Sequence, residues 1–315
     1  MTMDRQKPFF GYEGIPSFCR APMCFDLSNL KADVAVAGFC LDSGTMNRSG
    51  ARHGPKAIRD ASMIYAMGYS RRNGFYDVEL ERYILPGVRI VDCGDIPTLP
   101  TLTVETFDTA TRFVKDIRSR QAMPVILGGD HSISFPVLRA FSDIPIHVVQ
   151  FDSHLDLMDD TLGIKLSHAN PMKRVSELEN VTGLSHIGIR GLHNIPDWIE
   201  AAEKSKSRFF TATEVHDKGE EFISSQIPDS ENLYITVDID VLDPSVAPGT
   251  GTPEPGGLTY RQLRRLLRLT AQKGRLAGMD LVEVNPLFDP SGRTAQVAAR
   301  LIIDLLGAAC VIKNK

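Results

Sequence analysis

Asp152, His154 and Asp156 occupy alternate positions in the stretch Ile146 to Asp160, IHVVQFDSHLDLMDD. On an extended chain the side-chain period is two, so all three would emerge on one side. Two further acids, Asp238 and Asp240, are again two apart, and His131 lies in Gly128-Gly129-Asp130-His131-Ser132. Four carboxylates brought together cannot all ionise without a counter-charge. Two divalent cations would cancel them, with His131 and His154 each supplying one neutral nitrogen. A mixed carboxylate–imidazole set suits Mn²⁺, with Ni²⁺, Co²⁺ or Fe²⁺ as competitors. Ca²⁺ fits less well because imidazole is a poor ligand for it. A pair of such ions can share one water and lower its pKa, giving hydroxide at neutral pH. Taken singly, each Asp is a turn former or helix cap and each His a structural residue. The repeated spacing at several sites is what carries the metal reading.

Something must hold these groups at neighbouring points. Each ligand cluster follows a short, apolar, β-branched run: Met123 to Leu127, the stretch from Ile146 through Val148 and Val149 to Phe151, and Leu233 to Val237. Such runs read as buried strands. Further strands are expected at Asp33 to Phe39, Val88 to Val91, Ser185 to Ile189 and Met279 to Val284, the last carrying Glu283, with Phe209-Phe210 a short candidate. Between them lie helical patterns at Lys56 to Met63, Val104 to Arg120, Phe135 to Phe141, Thr259 to Lys273 and Thr294 to Leu306. Pro55 suits a first helical turn and Thr259 an N-cap. Strands alternating with helices predict an α/β fold with a mainly parallel sheet, one domain spanning residues 1–315. Ligands then gather along the carboxyl edge of that sheet. Residues 1–30, rich in Pro, Gly and aromatics, read as an arm on the surface or on a neighbouring subunit.

The composition excludes several classes. At 315 residues, with 43% hydrophobic and 23% charged content, the chain is an ordinary globular protein. A net charge of −4 offers no basic face for nucleic acid. The five cysteines are scattered without a CxxC pair, which predicts reduced thiols and a cytoplasmic setting. There is no apolar leader at the N-terminus and no run of about 18 apolar residues, so no membrane span is expected.

GGDHS, FDSHLD and TVDIDVLDPSVAPGTGTP resemble the three signature segments of the ureohydrolase (arginase/agmatinase) family, and LDSGTMNRSGARHGPKAIR and MDLVEVNP match its pattern as well. The resemblance implies a three-layer α/β/α fold, two Mn²⁺ ions (Ni²⁺ the alternative), hydrolysis of a guanidino group to urea and an amine, and homotrimers or hexamers. Carried over by position, His131, Asp152, Asp156 and Asp240 would hold the ions, with His154 and Asp238 completing the set and Asp156 placed at the reacting centre. Glu283 would pair with the substrate guanidinium, a planar cation suited to a bidentate carboxylate. Thr252 would line that pocket, and His168 would shuttle a proton to the leaving amine. Ala169 departs from the usual His-Gly, and Ser153 and Leu155 depart between the ligands. The last two should face away from the metals and be tolerated.

The substrate's tail is the open question. Leu157-Met158 stands where arginases hold the substrate's α-carboxylate and α-amine with polar groups, which disfavours L-arginine. Asp159 and Asp160 follow and could face a cationic tail, making agmatinase the leading expectation. Arg48, Arg52 and Arg190 could instead read an acid tail, as in guanidinobutyrate or guanidinopropionate. A formimidoyl-amide hydrolase and a non-catalytic partner subunit are the rivals. The remaining histidines, His53, His147, His186, His193 and His216, are expected to be structural.

Overall fold

A computed structural model describes residues 13–68, 73–160, 162–205 and 207–310. In chain order the strands are β1 (Val34–Phe39), β2 (Phe75–Asp77), β3 (Arg82–Ile84), β4 (Ile90–Asp95), β5 (Met123–Gly128), β6 (Ile146–Phe151), β7 (Val181–Ile189), β8 (Ser207–Thr211), β9 (Asn232–Asp238) and β10 (Arg275–Val282). The α-helices are α1 (Gly54–Ser62), α2 (Thr103–Ser119), α3 (Ser134–Leu138), α4 (Pro171–Ser176), α5 (Pro196–Lys204), α6 (Ala212–Lys218), α7 (Glu220–Ser225), α8 (Tyr260–Thr270) and α9 (Arg293–Ala309).

Eight strands form one sheet in the order β4-β1-β5-β10-β9-β6-β7-β8, and every pairing between neighbours is parallel. The central strands are buried from end to end because helices cover both faces, which is why their sequences run apolar without alternation. One face packs Ile235, Val237, Leu281 and Ile302 into a core, the other Ile126, Val148, Tyr234 and Phe141. This is the three-layer α/β/α arrangement expected. Thr259 caps α8 through a reciprocal capping box with Gln262, as its position predicted.

The differences are local. β2 and β3 make a small antiparallel pair that the sequence reading passed over, being only three residues each. α4 to α7 were also passed over, although α5 is as long as α1, which was expected. Residues 17–21 do not form a surface arm: Phe18 and Cys19 are buried in this chain's own core, and the Phe18 amide donates to Asp92 at 2.8 Å. The first twelve residues of the proposed arm lie outside the described chain.

The order of the sheet sets up the site. β5, β10, β9 and β6 are consecutive neighbours. Because they run parallel, the segments that leave their carboxyl ends all emerge at one edge.

Candidate active site

β5 ends at Gly128, and Gly129 turns so close to β1 that a Cβ there would sit 1.7 Å from the Leu41 carbonyl oxygen. Only glycine fits, and the turn delivers Asp130 and His131 to the edge. The Asp130 carboxylate accepts from the Ser132 amide at 3.1 Å and from the Gly44 amide at 2.7 Å, tying the β1 loop to the β5 loop.

His131, Asp152, Asp156 and Asp238 meet at one point. His131 Nδ1 lies 2.9 Å from Asp152 Oδ2, 2.9 Å from Asp156 Oδ2 and 3.4 Å from Asp238 Oδ2. A second cluster adjoins it: His154 Nδ1 is 3.5 Å from Asp152 Oδ1 and 3.2 Å from Asp240 Oδ2. Asp152 belongs to both groups, one oxygen turned to each.

The sequence placed Asp152, His154 and Asp156 together for a reason that does not hold. β6 stops at Phe151, so the three are not on an extended strand. They converge because the loop coils, with Asp156 in the left-handed region at φ 53°. For the same reason Ser153 does not face away. Its hydroxyl donates to Asp240 Oδ1 at 2.8 Å and lies 3.1 Å from His154 Nδ1. Leu155 does turn into the core.

The electrostatics are those of a cation site. Burial, followed by neighbouring carboxylates, raises Asp156 to about 6 and pushes Asp238 well above the usual carboxylate range. Burial opposes charge on Asp152 too, but His131 and His154 hold it low. Burial likewise disfavours charge on both rings, yet the surrounding carboxylates push His131 and His154 well above the ordinary imidazole value. Four buried acids at this spacing require positive charge among them. Two overlapping oxygen–nitrogen donor sets, with His131 Nδ1 buried and free of any hydrogen bond, fit a pair of divalent ions.

Behind the donors lie groups that orient them. His131 Nε2 lies 2.9 Å from Thr236 Oγ1, Thr236 donates to Asp280 Oδ1 at 2.5 Å, and Tyr234 donates to Asp280 Oδ2 at 2.7 Å. With Thr236 donating to the acid, its oxygen must accept from His131, which leaves Nδ1 as the bare nitrogen. On the other side Gln150 Nε2 donates to Asp152 Oδ2 at 2.6 Å, while its oxygen contacts the buried His186. His186 therefore has a constellation that the sequence did not show.

Glu283 follows β10 directly, also left-handed at φ 62°. Its Oε1 accepts from the His131 amide and faces His168 Nδ1, both at 3.0 Å, and its Oε2 is buried without a partner. His168 Nε2 in turn accepts from the Met46 amide at 3.1 Å. Burial works against a charge on His168, but Glu283 overrides it and raises the ring to about 9. Thr252 Oγ1 lies 3.3 Å from Asp240 Oδ2.

These groups form the floor of a cavity of about 330 Å³, whose lining also includes Met46, Met158, His193, Ile195 and Trp198. His193 was expected to be structural. It stands edge-on to the His154 ring at 5.7 Å between centroids and pairs with Glu254 at 2.6 Å.

The residues expected to read the tail are elsewhere. Asp159 does not line the cavity; it pairs with Arg174 on the surface. Asp160 accepts from the Gly163 amide at 2.7 Å. Arg48 lies over the Phe288 ring, Arg52 pairs with Asp42, and Arg190 donates to backbone carbonyls of Asp240 and Glu254. Period and composition cannot tell which way a loop tip turns, and these loops turn their charges onto one another.

A family model described as the arginase family matches residues 32–307. The chain is 34% identical to guanidinopropionase of Pseudomonas aeruginosa, over 97% of this chain and 96% of that one. It is 34% identical to the mitochondrial agmatinase of Gallus gallus, over 95% and 86%. Among solved structures, proclavaminate amidino hydrolase of Streptomyces clavuligerus superposes with a TM-score of 0.81 at 33% identity, covering 95% of this chain and 98% of that one.

Proposed function

The chain belongs to the arginase family, and from that premise we propose that its cavity takes a small guanidine and splits it to urea and an amine. The observation that carries this reading is the pair of donor groups joined at Asp152, set beside a buried carboxylate oxygen of Glu283 that has no partner. His131, Asp152, Asp156 and Asp238 would hold one divalent ion, and Asp152, His154 and Asp240 the other. When bound, the two ions supply an activated water at neutral pH. Mn²⁺ is the proposed metal, with Ni²⁺ the alternative.

The chain's own groups do the rest. Glu283 receives the guanidinium through Oε2, since two donors already engage Oε1. The grip is therefore one-armed, not the fork that the sequence reading expected. Thr252 closes the floor beside Asp240. Water oxygen bonds to the guanidino carbon and sheds its two protons as the carbonyl of urea forms. The C–N bond to the tail breaks with its electron pair going to the tail nitrogen, and that nitrogen takes up two protons and leaves as an ammonium. His168 holds one proton on Nδ1 toward Glu283 and accepts from the Met46 amide at Nε2. It would serve the tail nitrogen after Nε2 gives up that amide and takes a proton itself, the doubly protonated ring being the form that Glu283 favours.

The reading stops at the guanidino end, which is common to the substrates named for its relatives. Agmatine as the particular substrate loses its support, because Asp159 and Asp160 do not reach the cavity. We take the chain as one working domain, since β4 and β10, from opposite halves of the sequence, share one sheet; the homo-oligomer is carried over from the family resemblance alone. Among the described residues no helix is long and apolar enough to cross a membrane. The test is urea release by purified, Mn²⁺- or Ni²⁺-loaded protein across a panel of guanidines. Failure to release urea from any of them would sink the proposal.

A further inference from the structure

Above its polar floor the cavity is walled by Met46, Met158, Ala169, Ile195 and Trp198. Among the described residues, no Lys or Arg lines it, and no Asp or Glu beyond those of the floor. Of the remaining polar groups of the wall, the Asn47 NH₂ donates to the Gly251 carbonyl at 3.0 Å and His193 Nδ1 pairs with Glu254, while the Trp198 indole N–H has no acceptor. The charges of the neighbouring loops are turned away, as described above.

We infer that the tail of the substrate is uncharged and apolar, so that the compound is an N-alkyl or N-aryl guanidine. This inference rests on the guanidine-hydrolase reading of the same site. A guanidino acid would bury its carboxylate against thioethers and aliphatic carbon. The indole N–H of Trp198, buried and without an acceptor, is a single neutral donor and does not offset that desolvation. An ammonium tail would lose its water with no carboxylate in the wall to meet it. An alkyl chain loses nothing by entering, and the flat indole gives it a large contact surface.

Trp198 is the only tryptophan of the chain, so its emission reports what occupies the wall whether or not turnover follows. The metal-loaded protein is titrated with n-propyl-, n-butyl- and n-pentylguanidine, agmatine, 4-guanidinobutanoate, 3-guanidinopropanoate and plain guanidinium, with urea release measured alongside. Alkylguanidines should change the emission saturably, with Kd falling roughly three- to fourfold per added methylene. Their kcat/KM should exceed that of charged compounds of equal length by about tenfold or more. Met158→Arg should reverse the order between n-butylguanidine and 4-guanidinobutanoate. If agmatine (its ammonium stacked on Trp198) or a guanidino acid matches its alkyl counterpart in Kd and kcat/KM, the inference fails while the hydrolase reading stands. If the emission ranks the alkyl tails as stated and no urea appears from any compound, the hydrolase reading fails and the apolar wall remains. No response to any guanidine overturns both.

Discussion

Glu283 binds His168 and leaves itself half open: His168 Nδ1 lies 3.0 Å from Oε1, and Oε2 remains buried and unpaired. In the proposed reaction the two residues would divide the work on the substrate's two sides, one oxygen fixing the ring near the tail nitrogen and the other receiving the guanidinium.

Removing the ring should separate these tasks. His168→Ala should lower kcat by roughly 10²–10⁴-fold, as for other general acid–base groups, with metal content unchanged. KM should not rise, because the substrate gains access to Oε1. Loss of metal in that variant would move His168 into the ligand set.

Glu283→Gln should be harsher than the loss of one charge. Two N–H donors face Oε1, so the amide oxygen must settle there. Its NH₂ then points where Oε2 was, donor against donor toward the guanidinium. Activity on every guanidine should fall by at least about 10³-fold, by the measure of removing a charged hydrogen bond and adding a repulsion. A small, substrate-dependent loss would show that Oε2 does not read the guanidinium.

Metal analysis should find about two divalent ions per chain, the complement of a two-metal hydrolase site. Because Asp152 serves both donor groups, Asp152→Asn should lose both ions, and Asp240→Asn should lose one first. Parallel loss in the two variants would contradict the shared role of Asp152. Thr236→Val, which cuts the link from His131 to Asp280, should weaken metal binding by roughly 10–100-fold without unfolding the chain.

His147 carries a separate pH dependence. Burial depresses it to about 4, against about 6.5 in the unfolded chain. Between those values the unfolded state binds the extra proton, so this contribution to stability is complete above about pH 6.5 and is lost as pH falls toward 4. In His147→Gln the Tm deficit relative to the parent should shrink as pH is lowered from 7 to 5. A gap that stays constant would mean that His147 does not titrate with unfolding.

Asp159→Asn should leave KM unchanged for agmatine and for guanidino acids alike, since its carboxylate pairs with Arg174 outside the cavity. A rise in KM confined to agmatine would restore the cationic-tail reading.

The strands that carry the site were legible because a buried parallel strand leaves an unbroken apolar run, as in Leu233 to Val237. The acids and imidazoles that gather at the sheet edge were legible as residue types placed just after such runs. Their convergence was misattributed to strand alternation, since nothing in the sequence marks Asp156 as left-handed. Thr236, Gln150 and Asp280 were invisible because they sit inside strands, where a polar residue carries no periodic signal and its partner lies on another strand. The wall was read only at Met158, because Met46, Met158 and the pair Ile195 and Trp198 come from three separate segments. Asp159 was misplaced because a loop's charge says nothing of its direction.

The position of β10 bears on how the protein comes to exist. It lies between β5 and β9, although it is the last strand in the sequence. A growing chain that has not yet made residues 275–282 can pair β4 with β1 and β5, and separately β9 with β6, β7 and β8. Those two blocks share no strand pairing, and the ligands are split between them, His131 on one and Asp152 to Asp240 on the other. Assembly must therefore wait for the end of synthesis, with the aggregation exposure that late, long-range pairing brings. A chain ending at Gly274 should hold no metal pair, and metal capture should be among the last events of folding.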